Sequence, residues 1–189
     1  MQNIGGLHQK AGSVMMIRKA ILQDIPGVTD IYDEIHSAEE NGYMTIGWKR
    51  SIYPTEETAL QALGRDDLFV MLDDDNVVGA AIINQTQAEG YDKGNWKYHA
   101  DDQDIMVLHT LVVAPSVNGR GYGKAFEQFY EEYALKNGCH YLRIDTNAKN
   151  GRAREFYRKL GYSEADIVQT SFNGLQEIDL VLLEKKLYS

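Results

Sequence analysis

A glycine-rich segment between an apolar strand and an amphipathic helix most constrains the fold of this chain. Apolar residues lead up to Pro115, glycines stand at Gly119, Gly121 and Gly123, and an apolar stripe at helical spacing then runs to Lys136. The first N–H groups of a helix lack intrahelical partners, and glycine lets an anion approach the backbone closely. The segment therefore predicts a strand–turn–helix unit, with a phosphorylated ligand as the first hypothesis. A glycine-rich turn is also compatible with an ordinary loop, so the motif alone does not decide between the two.

Two common phosphate-binding motifs do not match this spacing. A Walker A loop, G-x-x-x-x-G-K-[ST], needs one more residue between Gly119 and Gly123 and a Ser or Thr where Ala125 stands. The dinucleotide fingerprint G-x-G-x-x-G needs its third glycine at the position of Lys124. The spacing therefore disfavours a nucleotide triphosphatase and a dinucleotide-binding enzyme.

Apolar periodicity and turn residues predict the remaining elements. Helices are expected at 26–39, 55–63, 123–136 and 152–160. Strands are expected at 14–19, 68–72, 77–85, 105–113, 141–146, 167–172 and 176–184. The pair Asn173 and Gly174 is a strong signal for a two-residue hairpin turn. Hairpins at both ends, with strand–helix units between them, predict an α/β fold with a mixed sheet and helices on both faces.

Length and charge limit the function classes. The 189 residues suffice for one domain with a substantial core, so we expect a flexible tail over 1–13 and a single domain over 14–189. No apolar run approaches the ~20 residues of a membrane helix, and a net charge of −9 disfavours broad contact with nucleic acid. The single Cys139 excludes an internal disulfide and a cysteine-rich metal site. We expect a cytoplasmic protein that binds no metal, membrane or nucleic acid.

Three segments in fixed order resemble the GNAT superfamily of N-acetyltransferases, in particular its bacterial small-molecule members. The first is the strand end from Leu111 to Pro115. The second, 118–123, matches the family's [RQ]-x-x-G-x-[GA] loop at both glycines, with Asn118 in place of Arg or Gln. The third, 150–162, follows the pattern N-x-x-A-x-x-F-Y-x-K-x-G-[FY]. The resemblance covers roughly 105–162.

The resemblance implies a mostly antiparallel sheet in which two central parallel strands, 105–113 and 141–146, splay around acetyl-CoA. It implies that the backbone of Leu111 and Val113 pairs with the pantetheine arm, and that N–H groups from Gly119 to Lys124 hold the pyrophosphate. The implied cofactor-binding residues are Leu111, Val112, Val113, Asn118, Gly119, Arg120, Gly121, Tyr122, Gly123, Lys124, Asn150 and Ala153.

Acetyl transfer to an amine needs a base for the amine proton and an acid for the leaving thiolate. The resemblance places Tyr157 beside the thioester as the acid, although the same tyrosine also fits a packed helical stripe. His109 resembles a histidine that assists deprotonation in arylalkylamine N-acetyltransferases, and its predicted strand face is that of Leu111. A structural histidine is equally compatible with the sequence, as is a water-relayed proton with no dedicated base. Three carboxylates are alternative bases: Glu34, Glu56 and Asp145.

Aromatic residues in predicted irregular segments suit an amine or an aryl group, and Trp48, Tyr53 and Trp96 are the predicted substrate residues. The combined prediction is acetyl transfer from acetyl-CoA to a primary amine of a small molecule by direct attack on the thioester, in a monomer or homodimer. Two alternatives stay open. One is a noncatalytic acyl-CoA-binding or sensing module, and the other is a protein or peptide N-acetyltransferase.

Overall fold

The computed structural model describes residues 15–188, so the tail expected over 1–13 lies outside the described residues. Every predicted helix and strand is present, with the largest difference at β6, which begins at Ser163 rather than at 167. The strands are β1 (Met15–Lys19), β2 (Leu68–Asp73), β3 (Asn76–Asn84), β4 (Ile105–Val113), β5 (Tyr141–Asn147), β6 (Ser163–Phe172) and β7 (Leu175–Lys186). The helices are α1 (Ile25–Glu40), α2 (Glu56–Gly64), α3 (Tyr122–Lys136) and α4 (Gly151–Lys159).

The seven strands form one open sheet in the order β1-β2-β3-β4-β5-β7-β6. Neighbours pair antiparallel except β4 and β5, which are parallel. This confirms the mixed, mostly antiparallel sheet. The turn between β6 and β7 contains Asn173 at φ 50° and Gly174 at φ 79°, the left-handed backbone that a tight hairpin requires.

Helices cover both faces of the sheet, as the sequence predicts. Side chains alternate along each strand, so Met71 packs in one apolar cluster with Phe126 of α3, while Val70 packs in another with Ile31 of α1. We call these the α3–α4 face and the α1–α2 face. The α1–α2 face continues across β4, β5 and β7, where buried residues of the 85–104 connection cover it, including Tyr91 and Trp96. No helix within residues 15–188 is long and apolar enough to span a membrane.

The two parallel strands separate at the centre of the sheet. Their register runs from Ile105 opposite Tyr141 to Leu108 opposite Ile144 and then stops, although both strands continue. A β-bulge distorts β4 at the same level, because His109 pairs with Ile82 and Val112 with Ala80, and Thr110 takes a φ of 50°. The strands therefore splay, as predicted, and leave an opening through the sheet.

Candidate active site

A cavity of about 520 Å³ occupies the splay between β4 and β5. Its lining includes Phe156 and Leu111 from the α3–α4 face, and Trp48 and Phe172 from the opposite face. The cavity therefore passes through the sheet, and two molecules can meet in it from opposite sides.

The glycine-rich turn forms one end of the cavity. Gly119 and Gly121 adopt φ of 86° and 83°, and a Cβ built on either meets no atom within 4 Å. Gly121 caps α3, and the Ala125 N–H donates to its carbonyl as an early bond of the helix ladder. The N–H groups from Tyr122 to Lys124 precede that bond, so this end of α3 offers donors and positive dipole potential to an anion.

Every residue predicted for the cofactor loop lines the cavity. The Arg120 and Tyr122 side chains also anchor the turn to the end of β2. The Tyr122 hydroxyl donates a hydrogen bond to the Asp73 carboxylate, and the Arg120 guanidinium lies 3.6 Å from it. Lys124 and Arg152 add positive charge to this end of the lining.

The end of β4 forms one wall of the opening. Leu111, Val112 and Val113 all line the cavity, with Val112 and Val113 paired on one side to β3. Within residues 15–188, β4 has no pairing with β5 beyond Leu108, so this edge of its backbone can bond an extended ligand. Leu111 packs toward the α3–α4 face while Val112 packs toward α1.

The start of α4 forms the facing wall. The Asn150 side chain caps the helix, its Oδ1 accepting a hydrogen bond of 3.1 Å from the Ala153 N–H, and both residues line the cavity. Capping holds this wall in place and does not use the side-chain Nδ2 of Asn150, which is a hydrogen-bond donor.

Tyr157, one turn further along α4, projects into the cavity lining. Its side chain is 7% exposed and packs between the rings of Phe156 and Tyr162, with centroids 5.1 and 5.5 Å away. Its hydroxyl makes no hydrogen bond to any other residue in 15–188. Burial raises the pKa of Tyr157 well above that of an exposed phenol, so the side chain carries its proton at neutral pH.

His109 lines the cavity on the other side of β4. The prediction that it shares a strand face with Leu111 was wrong, because the bulge at Thr110 breaks the alternation and turns the two side chains to opposite faces. His109 pairs across the strands with Ile82, which packs in the α1–α2 face.

A hydrogen-bond chain fixes the tautomer of His109. The Asn84 Nδ2 donates to Asp67, so the Asn84 Oδ1 faces His109 and accepts from its Nε2 at 3.0 Å. Nδ1 is then the basic nitrogen. Burial lowers the pKa of His109 to about 4, so the ring is neutral at physiological pH but is a weak base.

Asp145 of β5 is the one Asp or Glu among the described cavity-lining residues. The Tyr91 hydroxyl donates to its Oδ2 at 2.9 Å. Burial raises its pKa to about 7, and the hydrogen bond from Tyr91 lowers it by a smaller amount. Of the other two predicted carboxylates, Glu34 accepts from the Ser116 N–H and hydroxyl, and Glu56 is exposed at the start of α2, so neither lines the cavity.

Three aromatic rings form the end of the cavity away from the glycine turn. The Tyr53 ring makes edge contacts with Trp48 and Phe172, with centroids 5.8 and 6.4 Å apart, and its hydroxyl is hydrogen-bonded to the Thr110 hydroxyl. Trp48 and Tyr53 therefore both line the cavity.

Trp96 does not line the cavity. Its indole N–H donates to the Tyr91 carbonyl at 2.8 Å, and the Arg143 guanidinium lies 4.0 Å above its ring. Trp96 is thus buried one layer behind the site, where it supports Tyr91. The aromatic composition of its loop does not reveal this, since the sequence does not show which ring of the 85–104 connection faces inward.

Several cavity residues had no distinguishing sequence signal. Phe172 and Ile178 belong to the predicted β6–β7 hairpin, but only the folded chain brings that hairpin over the opening. Met44 and Ile46 lie in an irregular segment with no periodicity. The single Cys139 is fully buried and is not among the cavity-lining residues. No cluster of three or more potential metal ligands occurs within residues 15–188.

Two curated relatives are acetyltransferases. An uncharacterised N-acetyltransferase of Methanocaldococcus jannaschii is 32% identical over 75 residues, 40% of this chain and 33% of that protein. The mycothiol acetyltransferase of Pseudarthrobacter chlorophenolicus is 29% identical over 111 residues, 56% of this chain and 34% of that protein. This chain therefore spans about a third of the length of each.

Solved structures share the fold at low sequence identity. An N-acetyltransferase from Staphylococcus aureus matches with a TM-score of 0.67 at 19% identity, over 93% of this chain and 100% of that one. A Salmonella typhimurium acetyltransferase, solved with its cofactor acetyl-CoA, matches with a TM-score of 0.65 at 16% identity, over 94% of this chain and 96% of that one. A ribosomal-protein-alanine N-acetyltransferase from Brucella melitensis matches with a TM-score of 0.66 at 21% identity, over 91% of this chain and 99% of that one.

The sequence pattern of the acetyltransferase (GNAT) family covers most of the chain, including α1, the splayed strands, the glycine-rich turn and α4. Its family model matches residues 28–162, and this match establishes that the chain belongs to the acetyltransferase (GNAT) family.

Proposed function

We propose that this protein transfers an acetyl group from acetyl-CoA to a primary amine of a small molecule, by direct attack of the amine on the thioester. Family membership supports acetyl transfer. The observation that carries the proposal is a single cavity through the sheet, with the glycine-rich turn at one end and a half-buried carboxylate beside an aromatic wall at the other.

The donor would bind from the α3–α4 face. The N–H groups from Gly119 to Lys124 fit a pyrophosphate, since the two open glycines leave the backbone accessible. The free edge of β4 beyond Leu108 fits the amides of the pantetheine arm, and Asn150 with Ala153 closes the other side. When bound, acetyl-CoA supplies an activated acyl carbon with a thiolate leaving group.

Asp145 is the general base that the site supports best. An amine is nucleophilic only after its ammonium form loses a proton, and a base works best when its pKa lies near the operating pH. The pKa of Asp145 is about 7, whereas that of His109 is about 4. We therefore assign proton acceptance to Asp145 and keep His109 as the second candidate.

Tyr157 is the proposed acid. As the amine nitrogen forms its bond to the acyl carbon, the carbon–sulfur bond breaks and the thiolate takes a proton. The Tyr157 phenol keeps its proton at neutral pH and makes no other hydrogen bond within residues 15–188, so it is free to donate. In the complete reaction the ammonium loses two protons. Asp145 accepts the first and releases it to solvent, and the second, which leaves the nitrogen after it bonds to the acyl carbon, replaces the proton that Tyr157 gives to the thiolate.

Direct attack is supported by the chemistry of the lining. No serine or cysteine is among the described residues that line the cavity. Its two threonines are Thr110, whose hydroxyl is hydrogen-bonded to Tyr53, and Thr146, which is buried. A covalent acyl-enzyme would need an activated nucleophile with an adjacent base. The two substrates would instead meet in the opening from opposite faces of the sheet.

Calorimetric titration with acetyl-CoA, together with thiol release across an amine panel, tests the proposal. We expect one binding site and thiol release with at least one small amine. Binding without turnover on any amine would indicate the noncatalytic acyl-CoA module, and turnover of peptides alone would indicate a peptide acetyltransferase. Absence of acetyl-CoA binding would refute both the enzyme and the module.

A matched pair of glycine variants locates the donor site. Gly121 and Gly138 have φ of 83° and 78°, and a Cβ on either meets nothing within 4 Å, but only Gly121 lines the cavity. Replacement by alanine strains both turns by a similar amount, about 1–2 kcal/mol. We expect Gly121→Ala to weaken acetyl-CoA binding about tenfold or more, and Gly138→Ala to leave it unchanged. Equal effects of the two variants would contradict the assignment.

A further inference from the structure

The end of the cavity that faces the acceptor is apolar. Its side chains come from the segment between α1 and α2 and from the β6–β7 hairpin, and include Met44, Ile46, Trp48, Tyr53, Phe172 and Ile178. The Tyr53 hydroxyl is engaged by Thr110, so this ring presents mainly its apolar surface. Such a wall gains free energy from burying an aryl or branched alkyl group.

The α1–α2 segment and the hairpin meet over this end of the cavity. The Tyr53 and Phe172 rings are in edge contact, and a Cβ on Gly174 would lie 3.0 Å from the Ile52 Cγ2. On the other side of the segment, a Cβ on Gly47 would lie 2.5 Å from the Asn147 side-chain nitrogen of β5. These contacts close a roof, defined here as residues 44–53 with the tip of the β6–β7 hairpin. A polypeptide acceptor would have to part the roof, whereas a small molecule would fit beneath it.

Charge is distributed unevenly along the cavity. Among the described lining residues, the Lys and Arg side chains are Arg120, Lys124 and Arg152, which stand on the glycine turn and at the start of α4. The single lining carboxylate, Asp145, lies beside the acceptor end. An ammonium group therefore has a partner there. A carboxylate on the acceptor would be desolvated with no Lys or Arg of the lining at this end to pair with, since the nearby Arg65 lies outside the lining and is paired with Asp67. A second ammonium would lie against the apolar wall.

We propose that the acceptor is a small primary amine with one ammonium group on an aryl or branched alkyl body and no carboxylate. This inference rests on the proposed function, because it describes the second substrate of that same site. The aromatic wall selects the body, Asp145 selects the single cation, and the roof excludes a polypeptide.

Matched substrates test each part of the inference. 2-Phenylethylamine and L-phenylalanine differ by one carboxylate. Relative to 2-phenylethylamine, putrescine replaces the aryl body by a second ammonium. A tetrapeptide beginning with phenylalanine adds a polypeptide chain that must pass the roof. We expect kcat/KM for 2-phenylethylamine to exceed that of each of the other three by about 100-fold or more. 3-Methylbutylamine should be used within tenfold of 2-phenylethylamine.

Variants of two aromatic residues in the same segment provide a control. Trp48 lines the cavity, whereas Tyr43 is 85% exposed and does not. We expect Trp48→Ala to lower kcat/KM for 2-phenylethylamine about tenfold, mainly through KM, with acetyl-CoA affinity unchanged. Tyr43→Ala should leave all three parameters unchanged. Because Trp48 also packs against Tyr53, Phe172→Leu serves as a second variant of the wall, with the same expectation.

The possible outcomes separate this inference from the function on which it rests. Equal or faster turnover of phenylalanine, putrescine or the peptide would overturn the substrate class while leaving acetyl transfer intact. Equal effects of Trp48→Ala and Tyr43→Ala would overturn the role of the aromatic wall. Absence of acetyl-CoA binding, or of turnover with every amine, would overturn the proposed function and the substrate class together.

Discussion

Replacing Asp145 by asparagine tests the site through stability as well as through rate. The pKa of this carboxyl is raised by burial from 3.8 to about 7 in the folded protein. Between these values the native state holds a proton that the unfolded chain has lost. The free energy of unfolding therefore falls as pH rises from about 4 to about 7, because the native state binds more protons than the unfolded state in that range.

The size of this effect follows from the pKa difference. About three pKa units at 1.36 kcal/mol each give about 4 kcal/mol, which is an upper bound since Asp145 borders an open cavity. Asp145→Asn removes the ionisable group. Part of this amount is already expressed at pH 4.5, where the unfolded carboxyl is mostly ionised. We therefore expect the loss of stability of Asp145→Asn between pH 4.5 and pH 8 to be smaller than that of the wild type by up to about 3 kcal/mol, measured by urea unfolding at both pH values.

The same variant should lose the acidic limb of the kcat/KM–pH profile. In the wild type, kcat/KM should rise with a midpoint near pH 7 as Asp145 loses its proton. Asp145→Asn should abolish that limb and lower kcat/KM about 100-fold or more, the usual contribution of a general base. Asp179→Asn is the control, because Asp179 is exposed on β7 and does not line the cavity. An Asp145→Asn protein with the wild-type pH dependence of both stability and rate would refute the reasoning.

Three further substitutions test the groups around Asp145. Tyr157→Phe should lower kcat about 10- to 100-fold with acetyl-CoA affinity unchanged in calorimetry, and an unaltered kcat would reject the acid role. Tyr91→Phe removes the hydrogen bond that lowers the pKa of Asp145, so the midpoint of the kcat/KM–pH profile should move to higher pH; a midpoint that stays or falls contradicts this. His109→Gln should leave the midpoint near pH 7 in place if Asp145 is the base, whereas a flattened acidic limb would assign the base to His109.

The donor end of the site was accessible from sequence because its chemistry is local. A strand, two glycines with left-handed backbone and a helix start follow one another without interruption, and the N–H groups proposed to bind the pyrophosphate belong to consecutive residues. The helix cap at Asn150 and the apolar stripe that includes Tyr157 likewise lie in consecutive turns of α4. For the same reason the element order and the hairpin at Asn173 could be predicted.

The acceptor end depends on residues far apart in the chain. Asp145 resembles any strand carboxylate until burial and the hydroxyl of Tyr91, 54 residues away, set its pKa. Trp96 has the composition of a substrate residue, but its packing behind Tyr91 excludes it from the cavity lining. The bulge at Thr110 reversed the predicted face of His109, since simple alternation holds only in a regular strand.

By itself, the sequence determined the family, the order of strands and helices, and the glycine-rich turn that we propose binds the donor. Each of these follows from backbone preferences and side-chain spacing within a few consecutive residues. Only the tertiary structure decided which carboxylate lies beside the opening and which rings line the end of the cavity proposed for the acceptor. Desolvation and packing depend on all neighbours in space, and those neighbours come from α1 to β7.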